Sequence, residues 1–222
     1  LAIKILNASK FVLMLDPTSD AAAITQPHDQ ARIAALAETV RQATVAFEQF
    51  NYAKALEVAE TFFWDFTDDY VELVKERAYG GDGDTKADSA KAALATSLDT
   101  ILRLFAPFLP FVTEEVWSWW QEGTVHRASW PDSEALASLA QGQGPALLGD
   151  LAGVLTAIRK AKSDVNASMR AEVASAVVTA PADAIERLRT ATDDITAVGR
   201  IADLTFIEGP QLTVGVVLAP AP

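Results

Sequence analysis

The sequence predicts a mainly α-helical protein, an antiparallel helical bundle followed by a small α+β subdomain at the C-terminal end. Apolar residues recur three and four positions apart through residues 1–130, which is typical of the buried stripe of an amphipathic helix. Residues 131–146 are rich in Ser, Gly, Gln and Ala, and we predict a linker there. Helix-like and strand-like segments then alternate over residues 147–222, which indicates a second, smaller domain.

The bundle is predicted from its apolar stripes. The first helix is expected over Leu1–Leu15, and two longer ones follow over residues 28–50 and 51–79. Short turns between successive helices favour antiparallel neighbours. The stripes of the two longer helices fall on Ile33, Leu36, Val40, Ala43, Phe47 and Phe50, and on Leu56, Ala59, Phe63, Phe66, Tyr70 and Leu73.

Glycine and proline mark the ends of these helices. Gly80-Gly81 is expected to close the long helix in a left-handed conformation, which glycine adopts without steric cost. A fourth helix, with Leu94 and Leu98 on its stripe, ends before Pro107. Pro110 then begins a fifth, since proline is well suited to the first position of a helix.

The C-terminal segments alternate in type. Gly209-Pro210 is predicted to form the turn between the last two strands. The predicted elements are a helix over 146–165, a strand over 173–180, a helix over 182–198, and strands over 201–207 and 212–218.

Composition restricts the possible functions. The net charge of -12 argues against broad binding to nucleic acid, because such binding requires a basic face that neutralises phosphates, so any RNA contact must be local. The chain has no cysteine, no run of about 20 apolar residues and no charged-then-apolar leader, so we expect a cytoplasmic protein without a membrane partner. It begins at Leu1 inside a predicted helix, which suggests a cut fragment.

The residues do not predict a catalytic or metal site. The two histidines, His28 and His126, lack a second ligand at metal-binding spacing. Adjacent acids at Asp68-Asp69 and Glu114-Glu115 point to different faces of a helix, so we interpret them as structural. The Gly80–Asp84 segment lacks the Lys-Ser/Thr of a P-loop and the closing Glu of an EF-hand.

Several stretches resemble one family. The segments Asn51–Tyr79 and Leu102–Trp117 closely resemble the anticodon-binding domain of valyl-tRNA synthetases, which are class I aminoacyl-tRNA synthetases. The segments Lys4–Phe11, Val125–Pro131 and Leu155–Asn166 are similar to other parts of the same region. The equivalent region of an isoleucyl or leucyl relative is one alternative, and a free-standing helical interaction module is another.

The resemblance implies that catalysis takes place outside these residues. The ATP-binding motifs and the editing domain of the family are not in these residues, so the piece itself is expected to be non-catalytic and without a cofactor. ATP and Mg would act in the catalytic domain of the parent chain, which joins valine to tRNA(Val). The implied partners are therefore tRNA(Val) and that catalytic domain, and DNA is not among them. The family's basic C-terminal arm is either cut away or naturally missing.

The resemblance also implies which residues meet the anticodon. By position, Lys4 would approach the middle anticodon base and Phe11 would stack on an adjacent base. The spacing agrees, because Lys4, Asn7 and Phe11 stand at i, i+3 and i+7 on one helical face. A cation, an amide and an aromatic ring suit the recognition of unstacked RNA bases, and Lys10 would add a phosphate contact.

Two further predictions concern the long helix. Val71 would contact a base, and Lys75 and Arg77 would either meet RNA phosphates or complement the negative end of the helix. A second basic cluster, either an RNA contact or an ordinary solvated face, comprises Arg159, Lys160, Lys162 and Arg170. The tryptophans, predicted to pack in the core or between helices, are Trp64, Trp117, Trp119, Trp120 and Trp130.

Overall fold

A computed structural model describes residues 1–16, 20–81, 83–142 and 144–220. It confirms the predicted fold class, with helices through most of the chain and a three-stranded sheet near the C-terminal end. Two compact units are present. The first contains Leu1–Val71 and Ala78–Gly144, and the second contains Glu72–Arg77 and the chain from Pro145 onward.

The helices of residues 1–144 follow the predicted order. A π-helical turn, Phe66–Tyr70, connects the two parts of the long helix that was predicted over residues 51–79. The helices are α1 (Ala2–Met14), α2 (Pro27–Glu48), α3 (Tyr52–Asp65), α4 (Val71–Ala78), α5 (Thr85–Phe105), α6 (Pro110–Trp117) and α7 (Ser133–Leu139).

Local signals set the helix ends. The Asn51 side chain accepts a hydrogen bond from the backbone N–H of Lys54 at 3.1 Å, which caps α3. Asp84 caps α5 in the same way. The left-handed conformation predicted for Gly80-Gly81 is not found at Gly81 but at Gly83, where φ is 83°. Asp82, in the same predicted loop, lies outside the described residues.

Aromatic rings form much of the core of the first unit. Phe63 on α3 packs its ring against the edge of Phe105 on α5, with 5.6 Å between the centroids. Edge-to-face rings add about 0.5–1.5 kcal/mol to the free energy of burial. Other core residues on the predicted stripes are Ile33, Leu36, Val40, Phe66, Tyr70, Leu94, Leu98 and Ile101.

The interval predicted as a linker contains a helix. Asp132 accepts hydrogen bonds from the backbone N–H groups of Glu134 and Ala135, which begins α7. Leu136 is buried, and α7 packs against α2. The polar composition of residues 131–146 concealed the buried Leu136 and Ala140, because two apolar residues give no clear periodic signal. Gln143 of that interval lies outside the described residues.

The second unit has a central strand with a partner on each side. The elements are α8 (Ala146–Asp164), β1 (Val173–Ala180), α9 (Ala182–Arg189), α10 (Thr192–Gly199), β2 (Ile201–Glu208) and β3 (Thr213–Leu218). β1 pairs with β2 in parallel, with Val177 opposite Thr205. It pairs with β3 in antiparallel, with Val177 opposite Gly215. The last two strands therefore flank β1 and do not form a ladder with each other.

The structure has two helices where the sequence predicted one in this unit. The helix expected over residues 182–198 ends at Arg189 and restarts at Thr192. Thr190 donates its hydroxyl to the carbonyl of Arg187 at 2.7 Å, a local bond that helps to end α9. Within the described residues, no helix is both long enough and apolar enough to span a bilayer.

Candidate nucleic-acid interface

The first helix separates a buried face from an exposed one. Ile5, Ser9 and Val12 are buried, and the Ser9 hydroxyl is satisfied by the carbonyl of Ile5 at 2.7 Å. Asn7 and Lys10 are exposed, as the helical spacing predicts. The burial of Ile5 and Val12 thus turns Asn7 and Lys10 outward, where they are available to a ligand.

Phe11 lies at the edge of the core. Its side chain is half-buried, and its ring meets the ring of Tyr79 edge-on, with 6.2 Å between centroids and 84° between planes. Tyr79 is 53% exposed. The sequence did not single out Tyr79, because it falls at the end of the long helix and outside its apolar stripe. Together the two rings form a partly exposed aromatic surface.

Lys4 contacts two residues of the long helix. Its ammonium lies 2.9 Å from Oδ1 of Asp68 and 6.0 Å from the centroid of the Trp64 ring. Trp64 is 40% exposed, so the structure places it at the surface and not in the core. Asp68, which was interpreted as structural, is half-exposed and forms an ion pair with a residue of the candidate site.

The π-helical turn determines where Asp68 lies. In a π-helical turn the backbone hydrogen bonds join residues five positions apart, one more than in an α-helix. Such turns are frequent at functional sites. Phe66, Thr67 and Tyr70 of this turn are buried, while Asp68 remains outside. The Thr67 hydroxyl, 3.2 Å from Oδ1 of Asp68, helps to fix the carboxylate.

A buried polar network lies beneath the turn. Tyr70 donates its hydroxyl to Oδ1 of Asp29 at 2.7 Å, and Ser89 donates to Oδ2 at 2.6 Å. The Ser89 oxygen accepts hydrogen bonds from the backbone N–H groups of Thr25 and Gln26, each at 3.0 Å. The network ties α5 and the start of α2 to the π turn. Sequence patterns did not reveal it, since its members lie tens of positions apart.

Arg32 occupies a second buried position near the turn. Its guanidinium lies 5.2 Å from the ring centroids of both Phe62 and Tyr70, within the range of cation–π attraction. Burial lowers the pKa of Arg32, and the nearby carboxylates of Asp65 and Asp69 oppose that shift. Because arginine remains protonated over the physiological range, the site has a fixed positive charge under the turn.

The remaining predictions for the long helix have different outcomes. Val71 is only 8% exposed, which leaves little side chain for a base, so its contact with RNA stays a prediction that its burial disfavours. Lys75 belongs to the second unit, where its ammonium lies 3.9 Å from Glu72. Arg77 forms a buried ion pair with Asp194 at 2.9 Å. Its burial disfavours a contact with RNA phosphates, whereas its place in the last turn of α4 agrees with a complement to the negative end of the helix.

The second basic cluster does not form one basic face. Lys162 is buried, and its ammonium donates to the carbonyls of Met169 at 3.1 Å and Gly199 at 3.0 Å. Burial, with the nearby charge of Arg200, lowers the pKa of Lys162. Lys160 pairs with Asp164 at 3.2 Å. Arg170 lines an open cleft of about 940 Å³ together with Lys75 and three glutamates, so the charge there is mixed.

Comparisons with known proteins indicate the family of the chain. The family model described as the anticodon-binding domain of tRNA ligase matches residues 29–178. The valine–tRNA ligase of Thermobifida fusca is 50% identical to this chain over 226 residues, which is 100% of the chain and 25% of the relative. The valine–tRNA ligase of Salinispora arenicola is 48% identical over 97% of this chain and 28% of the relative. That of Cutibacterium acnes is 47% identical over 94% of this chain and 24% of the relative.

The chain spans about a quarter of the length of these relatives. All of the relatives named here are valine–tRNA ligases, which supports the valyl interpretation over the isoleucyl and leucyl alternatives and over the free-standing module. The chain belongs to the family of anticodon-binding domains of tRNA ligases.

Proposed function

We propose that this chain is the anticodon-reading part of a valine–tRNA ligase and that it binds tRNA(Val). The observation that carries the proposal is the exposed face of α1, which presents Asn7, Lys10 and the partly exposed Lys4 and Phe11. The family model matches residues 29–178, after α1, and the valine–tRNA ligase of Thermobifida fusca is similar over the whole chain, α1 included. The parent enzyme would join L-valine to this tRNA with ATP and Mg, in the cytoplasm, through a catalytic domain elsewhere in its chain.

The exposed face suits a single-stranded loop. Anticodon bases are unstacked or easily unstacked, and proteins read such bases by hydrogen bonds to their edges and by stacking on aromatic rings. Phe11, with Tyr79 against its edge, provides a ring for stacking, and Lys10 provides a charge for a neighbouring phosphate. The contact is confined to one helix face, as the net charge of -12 requires.

Titration of the purified chain with tRNA(Val) and tRNA(Ile) transcripts at low salt tests the function. Fluorescence anisotropy of labelled transcripts should show at least about tenfold tighter binding of the valine transcript, since one well-read base contributes about 1–3 kcal/mol. Equal affinity for the two transcripts at every salt concentration would overturn the proposal.

Phe11→Ala should weaken binding to tRNA(Val) by about 5- to 150-fold, because base–aromatic stacking contributes about 1–3 kcal/mol per base. The same titration measures it, and urea unfolding followed by tryptophan fluorescence measures the fold. Phe50→Ala is the matched control, since Phe50 is 78% exposed and lies in the turn between α2 and α3.

Two results would contradict the role of Phe11. One is unchanged RNA affinity in Phe11→Ala. The other is a loss of about 3–5 kcal/mol in unfolding free energy, the amount typical of removing a core aromatic, which would make Phe11 a packing residue.

A further inference from the structure

Three side chains converge at one exposed point of the first unit. Lys4 of α1, Trp64 of α3 and Asp68 of the π turn lie together, although about 60 residues separate Lys4 from the other two. The Lys4 and Asp68 side chains are 41% and 54% exposed, so a ligand has access to both. A donor, an acceptor and an aromatic face are therefore presented at the same place.

We propose that Asp68 is a second base-reading residue, which acts beside Lys4 on the middle anticodon base. Lys4 donates to a ring nitrogen of the base, and Asp68 accepts from the exocyclic amino group next to it. This inference rests on the proposed function. All valine codons begin with G-U, so every valine anticodon has adenine in the middle and cytosine after it.

The chemistry of the pair matches these bases. Adenine and cytosine each present an amino donor beside a ring-nitrogen acceptor on the Watson–Crick edge, and carboxylates accept well from such amino groups. In the same position, guanine and uracil present a carbonyl oxygen and an N–H. Asp68 would then face an oxygen and Lys4 would face a proton, so both contacts become repulsive.

The charge of Lys4 offsets the charge of Asp68, although Asp65 and Asp69 nearby are acidic as well. A lone carboxylate would repel the phosphates around an anticodon, whereas the ion pair of Lys4 and Asp68 has no net charge. Lys10 remains available for phosphate contact on the same helix. The pair is thus suited to a base and poorly suited to a phosphate.

The fold holds Asp68 in position before any RNA arrives. Thr67 contacts its carboxylate at 3.2 Å, and Tyr70, two residues later in the same π turn, is fixed by buried Asp29. A side chain that is already positioned loses less conformational entropy on binding. Trp64, one turn before Asp68, offers its exposed ring as a stacking surface.

Asp68→Asn is the decisive variant, because an amide both accepts and donates and so no longer distinguishes an amino group from a carbonyl. Wild-type and variant chains are titrated with synthetic anticodon stem–loops of tRNA(Val) that carry A, C, G or U in the middle position. The wild type should prefer A over G by about tenfold or more, and Asp68→Asn should reduce that preference to about threefold or less.

Glu57→Gln is the matched control. Glu57 forms an exposed ion pair with Lys54 at 2.7 Å on the same long helix, so this change removes the same charge and releases a lysine in the same way. It should leave the preference for A unchanged. Circular dichroism of each chain confirms that the variants are folded.

The outcomes separate the two proposals. If the wild type discriminates among the stem–loops and Asp68→Asn discriminates equally well, Asp68 is not a base reader, while the proposed function stands. If Glu57→Gln loses the preference as well, the effect belongs to charge and the role of Asp68 is refuted. If the wild type binds all four stem–loops alike, the middle base is not read here and this inference is refuted. The comparison of tRNA(Val) with tRNA(Ile), which both have adenine in the middle of the anticodon, then still tests the proposed function.

Discussion

Asp29→Ala should lower the unfolding free energy of the first unit by about 3–5 kcal/mol, since it removes a buried acceptor shared by two hydroxyl groups at about 1–3 kcal/mol each and leaves a cavity. The carboxylate is fully buried, and it accepts from Tyr70 and Ser89. Ser89 in turn holds the backbone before α2, so the loss extends to that connection.

Tryptophan fluorescence during urea unfolding measures this loss, because all five tryptophans of the chain lie in the first unit. Asp29→Asn, which keeps an acceptor oxygen and most of the volume, should cost about 1 kcal/mol. A double-mutant cycle of Asp29→Ala with Tyr70→Phe should give a coupling of about 1–3 kcal/mol. A loss below about 1 kcal/mol in Asp29→Ala would show that the network does not stabilise the unit.

Arg77→Met should destabilise the second unit by about 3–5 kcal/mol, because removing one partner of a buried ion pair leaves the other charge uncompensated. The guanidinium Nε lies 2.9 Å and 3.2 Å from the two carboxylate oxygens of Asp194. The side chains are only 8% and 5% exposed, so water does not replace the lost partner. Exposed ion pairs, by contrast, contribute about 0–1 kcal/mol.

Hydrogen exchange followed by mass spectrometry measures this effect, since peptides from residues 145–220 report on the second unit, which has no tryptophan. Arg187→Met is the control in the same unit, because Arg187 pairs with Asp150 and Asp183 at a more exposed position. The double variant Arg77→Met with Asp194→Leu should recover much of the stability, as paired replacement of buried ions often does. Equal losses in Arg77→Met and Arg187→Met would contradict the structural role of the buried pair.

Much of the fold could be predicted from the sequence. The helical stripes of α2 and α5, with Ile33, Leu36 and Leu94 in the core, follow from spacing alone, because a helix buries one face and apolar residues must then recur on it. Asn7 and Lys10 are exposed for the same reason. The stretches at Asn51–Tyr79 and Leu102–Trp117 indicated the family, which the comparisons then confirmed.

The errors have a common cause. The sequence predicted that Trp64 packs in the core or between helices, yet its side chain is 40% exposed at the surface beside Lys4. It also predicted a linker where α7 forms. In each case a residue was judged by its own type and its near neighbours. Its burial, however, depends on packing against an element that is distant in the sequence.

The sequence by itself determined most of the helices, the strands and the family, since helical and strand periodicities are local properties and the matched stretches are contiguous. Only the tertiary structure decided that β2 and β3 flank β1, that Arg77 binds Asp194 117 positions away, and that Asp68 meets Lys4 64 positions away. Ion pairs and strand order depend on how distant elements pack against each other. Local sequence patterns do not specify that packing.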